Sequence, residues 1–168
     1  MPVSATGRGT VRASDRSLPE SLSAALIAPC GMDCGLCIAH VRQRKPCAGC
    51  NSDGATKPPH CVTCTIKMCD QIEGDAGAFC FDCAKFPCAR LRQLDSRYRT
   101  KYGMSMVENL GQIQETGIEA FVATERRRWT CPGCGGLLCV HRQACIYCGY
   151  AWNSAAAARQ AHLADGEG

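Results

Sequence analysis

Paired cysteines dominate the chemistry that this sequence could support. Sixteen of the 168 residues are Cys, a share at which either disulfides or metal ions must dominate folding. Twelve of the sixteen form six Cys-x-x-Cys pairs: Cys34/Cys37, Cys47/Cys50, Cys61/Cys64, Cys80/Cys83, Cys131/Cys134 and Cys145/Cys148. Random placement would give roughly one or two such pairs, and each pair can present two thiolates to one ion. The spacing therefore predicts about three four-thiolate metal sites, with zinc as the expected ion.

The last two pairs give the strongest metal prediction. Cys131/Cys134 and Cys145/Cys148 are each followed directly by glycine, which lets backbone amides approach a thiolate sulfur without a Cβ clash. Ten residues separate the pairs, a length that suits a zinc ribbon in which a β-hairpin brings two knuckles together. We predict such a ribbon over residues 129–150. Iron in a rubredoxin-like site is the chemical alternative, because four thiolates do not exclude iron.

The first four pairs supply ligands for two further sites. Sequential pairing joins Cys34 and Cys37 to Cys47 and Cys50, and the third pair to the fourth, across loops of nine and fifteen residues. Both loop lengths suit zinc, and the entropy of loop closure favours this shorter-range arrangement. A cross-brace that exchanges the middle pairs stays open. In either case the same eight cysteines are the ligands.

Four cysteines fall outside the pairs: Cys30, Cys69, Cys88 and Cys139. The order Cys-x2-Cys-x4-Cys occurs twice, ending at Cys69 and at Cys88. One interpretation is an iron–sulfur cluster that uses Cys30, the first pair and one more thiolate, for which Cys88 is a candidate. The simpler interpretation is that the four are buried small hydrophobes or thiols beside the sites. Cys30, Cys69 and Cys88 are thus additional candidate ligands.

Composition argues against several function classes. The chain lacks the eighteen or so consecutive apolar residues of a membrane span, and its start is a poor export signal, so we expect a cytoplasmic protein without a membrane partner. No Ser/His/Asp array, phosphate-cradling glycine loop or paired carboxylate site is visible. The sequence therefore assigns no catalytic residue and favours a binding protein over an enzyme.

The basic balance of the chain is weak evidence for a nucleic-acid partner. The formal charge of +4 counts every Cys as neutral, whereas each zinc ion held by four thiolates adds about −2. The sharpest basic run, Arg126 to Arg128, suits the C-terminus of a helix, where cations favour the macrodipole. A phosphate-binding face is the alternative, although aromatic side chains for base stacking are scarce.

The predicted fold is a small, metal-dominated α+β protein. Its segments are a disordered leader (1–28), a Cys-rich metal-binding module (29–90), a helical connector (91–128), a zinc ribbon (129–150), and an Ala-rich helix with a tail (151–168). Only eleven of the sixty-one residues from 30 to 90 are Val, Ile, Leu, Met or Phe, which is the apolar level of a disordered chain. Metal must then replace the missing core, and the connector holds the only conventional one.

Helix signals in the connector are clear. Apolar spacing after Pro87 predicts a helix to about residue 100, with Gly103 as its stop. Capping boxes at Ser105-x-x-Glu108 and Thr116-x-x-Glu119 predict two further helices, broken at Gly117.

The cysteine string resembles a known family. The segments that carry the resemblance are IAPCGMDCGLC (27–37), CAGC (47–50), CVTCTIKMC (61–69) and CFDCAKFPC (80–88). They are similar to the prokaryotic cysteine-rich "domain of unknown function 3795" family over about residues 27–92, and its long form continues to a C-terminal knuckle pair. The resemblance implies metal ligation and a prokaryotic cytoplasm, brings no activity or substrate, and makes Cys30, Cys69 and Cys88 part of the motif.

Two functions follow from these features. The first is a metal-binding protein, with zinc as the metal, that acts as an adaptor or regulatory module for a protein or nucleic-acid partner. The alternative is an iron–sulfur, thiol-redox or metal-handling protein that uses Cys30, Cys69 or Cys88 chemically.

Overall fold

The computed structural model describes residues 22–72 and 78–152, and these are mostly helical. The α-helices are α1 (Ile38–Val41), α2 (Pro59–Val62), α3 (Ala89–Tyr102), α4 (Met106–Thr116) and α5 (Ile118–Arg128). Single 3-10 turns cover Ala24–Leu26, Cys34–Leu36, Gly54–Thr56 and Cys80–Asp82. Three isolated antiparallel bridges are the only β pairing in the described residues. The helical part of the predicted fold is present together with a cluster of cysteines, and its β part is not confirmed.

The connector helices follow their sequence signals. Helix α3 ends at Gly103, whose φ of 63° is the left-handed conformation of a helix C-cap. Helix α4 begins after Ser105, whose hydroxyl accepts the Glu108 amide at 3.0 Å. Asp95 of α3 accepts both the Ser105 hydroxyl (2.7 Å) and the Val107 amide (3.0 Å), which ties the two helices together.

The second predicted capping box is wrong. Thr116 is the last residue of α4, and its hydroxyl donates back to the Gln112 carbonyl at 2.9 Å. The residue that caps α5 is Gly117, which has no side chain to cap with and a φ of 86°. The break between the two helices is therefore made by glycine backbone freedom and not by a reciprocal side-chain cap.

One hydrophobic core joins the N-terminal segment to the helices. Leu22, Ile27 and Leu36 are buried in the same cluster as Leu110 of α4 and Phe121 of α5. This corrects the expectation that the connector alone holds a conventional core. It also corrects the leader, because the part of it from residue 22 to 28 is packed; residues 1–21 lie outside the described residues.

The contact at Gly31 fixes how the cysteine-rich segment sits on α4. Gly31 has a φ of 84°, and a Cβ there would lie 2.7 Å from the Met106 carbonyl oxygen and 2.9 Å from Leu110 Cγ. The buried Asn109 side chain donates to the Gly31 carbonyl at 2.9 Å. Because Cys30 and Cys34 flank this contact, the helix positions the first thiols of the motif.

Beyond residue 36 the cysteine-rich segment has little apolar core. From 37 to 72 the buried apolar side chains are Ala39, Cys47 and Ile72, and from 78 to 88 the structure shows none. Burial at this level cannot offset the ordering of some forty-five residues, each of which costs about 1–2 kcal/mol of backbone entropy. The structure therefore places the shortage of buried apolar side chains after residue 36.

Two sequence expectations concern the ends and the membrane. The Ala-rich helix predicted over 151–168 lies outside the described residues from residue 153 onward. Of the helices in the described ranges, none combines the length and the apolar character needed to cross a bilayer.

Candidate metal centres

The C-terminal four cysteines meet at one point. The Sγ atoms of Cys131, Cys134, Cys145 and Cys148 all lie within 4.8 Å of one another. The Cys131–Cys148 and Cys134–Cys145 sulfur atoms are each 3.7 Å apart. A tetrahedral zinc ion with Zn–S bonds of about 2.3 Å requires sulfur separations of about 3.8 Å. Two of the six sulfur separations match this value and none exceeds 4.8 Å, so the four thiols suit a single tetrahedral ion.

Each knuckle of this site is closed by its own backbone contacts. The Cys131 amide donates to the Gly136 carbonyl at 2.7 Å, and the Cys145 amide donates to the Tyr150 carbonyl at 2.8 Å. One isolated bridge accompanies each knuckle, Thr130 with Leu137 and Ala144 with Ala151. The predicted β-hairpin joining the two pairs is not confirmed.

Glycine is required where each knuckle turns. Gly135 and Gly149, which follow the second cysteine of each pair, have φ values of 73° and 76°. Residues with a Cβ rarely adopt this conformation. A Cβ at either glycine would meet no atom within 4 Å, so the expected Cβ clash is wrong and the backbone dihedral angle is what requires glycine.

The electrostatics of Cys131 favour ligation. Burial works against ionisation of this thiol, but the amides of Gly133 and Cys134 and the thiols of Cys145 and Cys148 hold its pKa below the ordinary value. Amide donors that lower a thiol pKa stabilise the thiolate, which is the form that binds metal. The backbone amides of this turn thus favour the thiolate form of Cys131 and, with it, binding of a cation.

Trp129 anchors the C-terminal site to α5. Its side chain is buried, packs edge to face on Trp152 with ring centroids 5.2 Å apart, and donates from Nε1 to Glu125 at 2.9 Å. Glu125 is fully buried, and Arg128 lies 3.4 Å from its second oxygen. A paired, hydrogen-bonded carboxylate at the helix end therefore sets the orientation of the chain that enters the first knuckle.

His141 joins the C-terminal site to the N-terminal segment. Its Nδ1 accepts the Ile38 amide at 3.3 Å, so the ring proton lies on Nε2 and is donated to the Tyr98 hydroxyl at 3.0 Å. Burial lowers the pKa of His141, which keeps the ring neutral. Because both ring nitrogens are engaged, His141 acts here as a positioning residue and not as a ligand.

Six cysteines of the N-terminal module form a first group: Cys34, Cys37, Cys47, Cys50, Cys61 and Cys64. Within this group the Cys50 amide donates to Cys34 Sγ at 3.3 Å. Burial raises the pKa of Cys61, and the nearby thiols of Cys37 and Cys47 raise it further. In the described residues no three of these sulfur atoms converge as closely as the C-terminal four do. Their ligation and their pairing stay predictions.

A second group surrounds a cavity of about 240 Å³. Cys69, Cys80, Cys83 and Cys88 line it together with residues of the 65–72 segment and the start of α3. Burial raises the pKa of Cys80 to about 12, and the thiols of Cys88, Cys69 and Cys83 contribute to the shift. Sequential pairing, which the sequence favours over a cross-brace, joins Cys80 and Cys83 to Cys61 and Cys64, whereas the cavity brings them together with Cys69 and Cys88, the two unpaired cysteines of the repeated motif.

The other two unpaired cysteines, Cys30 and Cys139, do not line this cavity. Cys30 packs against the hydrophobic core, and burial raises its pKa, as do the neighbouring Cys50 and Cys80 thiols. Cys139 is fully buried beside Cys37, and burial raises its pKa as well. Cys139 therefore matches the interpretation of a buried small hydrophobe.

Asp33 is a residue that the sequence reasoning missed. Its Oδ1 accepts the Gly35 amide at 2.9 Å and so caps the turn that carries Cys34, while its buried Oδ2 has no hydrogen-bond partner. Burial raises its pKa from 3.8 to about 7, and Glu125 adds to the shift. An Asp at the N-cap position before a Cys-x-x-Cys pair was the available signal.

We expect Asp33→Asn to stabilise the protein increasingly as the pH rises. Because the folded-state pKa exceeds the unfolded one, the free-energy cost that ionisation of Asp33 imposes on folding grows from pH 3.8 up to about 7 and stays at its full value above that. Asparagine keeps the capping oxygen and removes the charge. From pH 6 to pH 8 its advantage should grow by about 1.4 kcal/mol, measured by urea denaturation at saturating metal. The exposed Asp53→Asn serves as the control, and an equal pH response in both variants would contradict the assignment.

Comparison with known proteins yields one family. Residues 26–93 match the family described as "Protein of unknown function (DUF3795)". No curated protein and no solved structure is matched by this chain. The matched segment contains Cys30, both groups of N-terminal cysteines and the Gly31 contact, and it ends before the C-terminal four-cysteine site. This cysteine-rich segment, 68 of the 168 residues, is thus similar to the DUF3795 family of proteins of unknown function.

Proposed function

We propose that this protein is a zinc-binding module that acts as an adaptor or regulator. The observation that carries the proposal is the convergence of four C-terminal sulfur atoms at the spacing of a tetrahedral ion. All four cysteine side chains come from turns, and no carboxylate, hydroxyl or histidine of the described residues joins the group. A closed set of four thiolates is typical of structural zinc and offers no open position for catalysis.

A protein partner is favoured over nucleic acid. Arg126 donates to the Leu22 carbonyl at 3.0 Å, and Arg128 pairs with the buried Glu125. Arg126 and Arg128 therefore make contacts within the fold, although Arg126 is exposed, and the exposed Arg127 donates to Thr124 at 3.1 Å. Large apolar side chains are exposed on the cysteine-rich parts instead: Val62, Met68, Ile146 and Tyr150.

Iron–sulfur or thiol-redox chemistry is the second candidate function. Its support is the cavity beside Cys69 and Cys88, the two thiols that a purely structural set of Cys-x-x-Cys pairs would not need. The two functions differ in metal content, because zinc thiolates are colourless and iron–sulfur clusters absorb visible light.

The experiment for the proposed function is elemental analysis of the full chain after anaerobic purification, with a visible spectrum of the same sample. We expect at least one tightly bound zinc per chain, held after exhaustive dialysis. The control is the same protein after treatment with a zinc chelator and removal of the complex. Iron with no zinc, or no bound metal, would contradict the proposal.

A further inference from the structure

Four cysteines, Cys69, Cys80, Cys83 and Cys88, line one cavity. Its volume of about 240 Å³ is larger than a single metal ion requires. Its walls come from three places in the chain: the segment before residue 72, the turn Cys80–Asp82 with the residues that follow it, and the first residues of α3. The four cysteines that line the cavity come from two segments: Cys69 from residues 65–72, and Cys80, Cys83 and Cys88 from residues 80–88.

The spread of the sulfur atoms distinguishes this cavity from the C-terminal site. In the described residues, the C-terminal four thiols are the group drawn within 4.8 Å of one another, and no three thiols of the cavity are that close. One zinc ion requires sulfur separations of about 3.8 Å. In a four-iron cluster each thiolate binds a different iron atom, so the ligating sulfurs must lie farther apart.

The charges around the cavity suit an anionic centre. A four-iron cluster held by four thiolates carries net negative charge, and the cavity is lined by Lys85 and Arg90, against a single acid, Asp70. The Lys85 amide also donates to Cys83 Sγ at 3.3 Å. Amide donors to the sulfur ligands stabilise such clusters and tune their potentials.

We propose that Cys69, Cys80, Cys83 and Cys88 are the ligands of a four-iron iron–sulfur cluster at this cavity. The proposal does not depend on the zinc function, since the two sites share no residue. It joins the last cysteine of each Cys-x2-Cys-x4-Cys repeat to the fourth Cys-x-x-Cys pair. It also leaves the six cysteines of the first group, Cys34 to Cys64, for zinc.

The experiment is anaerobic reconstitution of the full chain with iron and sulfide under a thiol reductant, followed by iron, sulfide and zinc analysis and a visible spectrum. The variants are Cys88→Ala and Cys69→Ala, and the matched control is Cys139→Ala, a buried thiol that does not line the cavity. We expect about four iron and four sulfide per wild-type chain. Both test variants should lose the cluster and its visible absorption, and Cys139→Ala should keep them.

The zinc count shows whether each variant is folded. A variant that loses iron and sulfide while the C-terminal zinc remains has lost a ligand and not its fold, so that outcome supports the proposal. Iron and sulfide contents that stay unchanged in Cys88→Ala and Cys69→Ala would overturn it. So would a wild-type chain that takes up zinc at these cysteines and no iron. Absence of zinc from every sample, with the cluster intact, would instead contradict the proposed zinc function.

Discussion

Replacing Cys145 with alanine is expected to release one metal ion and to unfold the C-terminal knuckles. Cys145 is buried and its sulfur lies 3.7 Å from that of Cys134, so its loss leaves three thiolates around the ion. Structural zinc supplies about 10–16 kcal/mol of folding free energy in small zinc-finger peptides. Trp129 and Trp152 are the only tryptophans of the chain, and their contact should be lost.

The measurement combines metal analysis with intrinsic fluorescence. We expect Cys145→Ala to bind one zinc fewer than the wild type and to show the red-shifted emission of solvent-exposed tryptophan. The matched control is Cys139→Ala, which removes an equally buried thiol six residues earlier that is outside the four-sulfur group. The control should keep the zinc content and the emission of the wild type. Equal zinc content in both variants would show that the C-terminal group is not a metal site.

Gly31→Ala is expected to cause the second large effect. The new Cβ would lie 2.7 Å from the Met106 carbonyl oxygen, a backbone atom that cannot move aside without displacing α4, and 2.9 Å from Leu110 Cγ. The backbone φ of 84° at residue 31 is also unfavourable for alanine. Backbone strain and overpacking each cost about 1–3 kcal/mol, so we expect a destabilisation of about 2–6 kcal/mol. Urea denaturation of the metal-loaded protein measures it.

Gly111→Ala on α4 provides the matched control. A Cβ at Gly111 would meet no atom within 4 Å, and the residue lies inside the helix. Alanine there should stabilise the protein by about 0.5–1 kcal/mol, because glycine loses more backbone entropy in a helix. The two substitutions are chemically identical and should change the unfolding free energy in opposite directions. A loss at Gly31 no greater than at Gly111 would refute the close contact with α4.

The helices of the connector and the C-terminal group of four cysteines could be located from the sequence. Apolar spacing and Ser105 located α4, because a serine cap acts within one turn of the helix it starts. Cys131, Cys134, Cys145 and Cys148 could be grouped because the two pairs lie close together in the chain and each is followed by glycine. Residues that are close in the chain and suited to one kind of ligand leave few alternative arrangements.

Contacts between distant parts of the chain could not be predicted in this way. Asn109 and Gly31 are seventy-eight residues apart, and neither belongs to a hydrophobic pattern that signals the contact. Composition likewise predicts a coreless cysteine-rich segment, although Leu36 is buried in the same core as Leu110 of α4 and Phe121 of α5. The assignment of the second capping box failed because glycine and threonine compete for the same helix boundary.

The central claim is that thiolate coordination orders the chain from residue 37 to 72, where apolar burial is scarce, and the turns of the C-terminal knuckles, beside the buried Leu138 and Val140. The most direct test is amide hydrogen exchange before and after exhaustive chelation under reducing conditions. We predict that these two regions lose protection on chelation while α4 and α5, which rest on the buried core, keep most of theirs. Unchanged protection in both regions, in a protein that held no zinc or iron beforehand, would contradict the account.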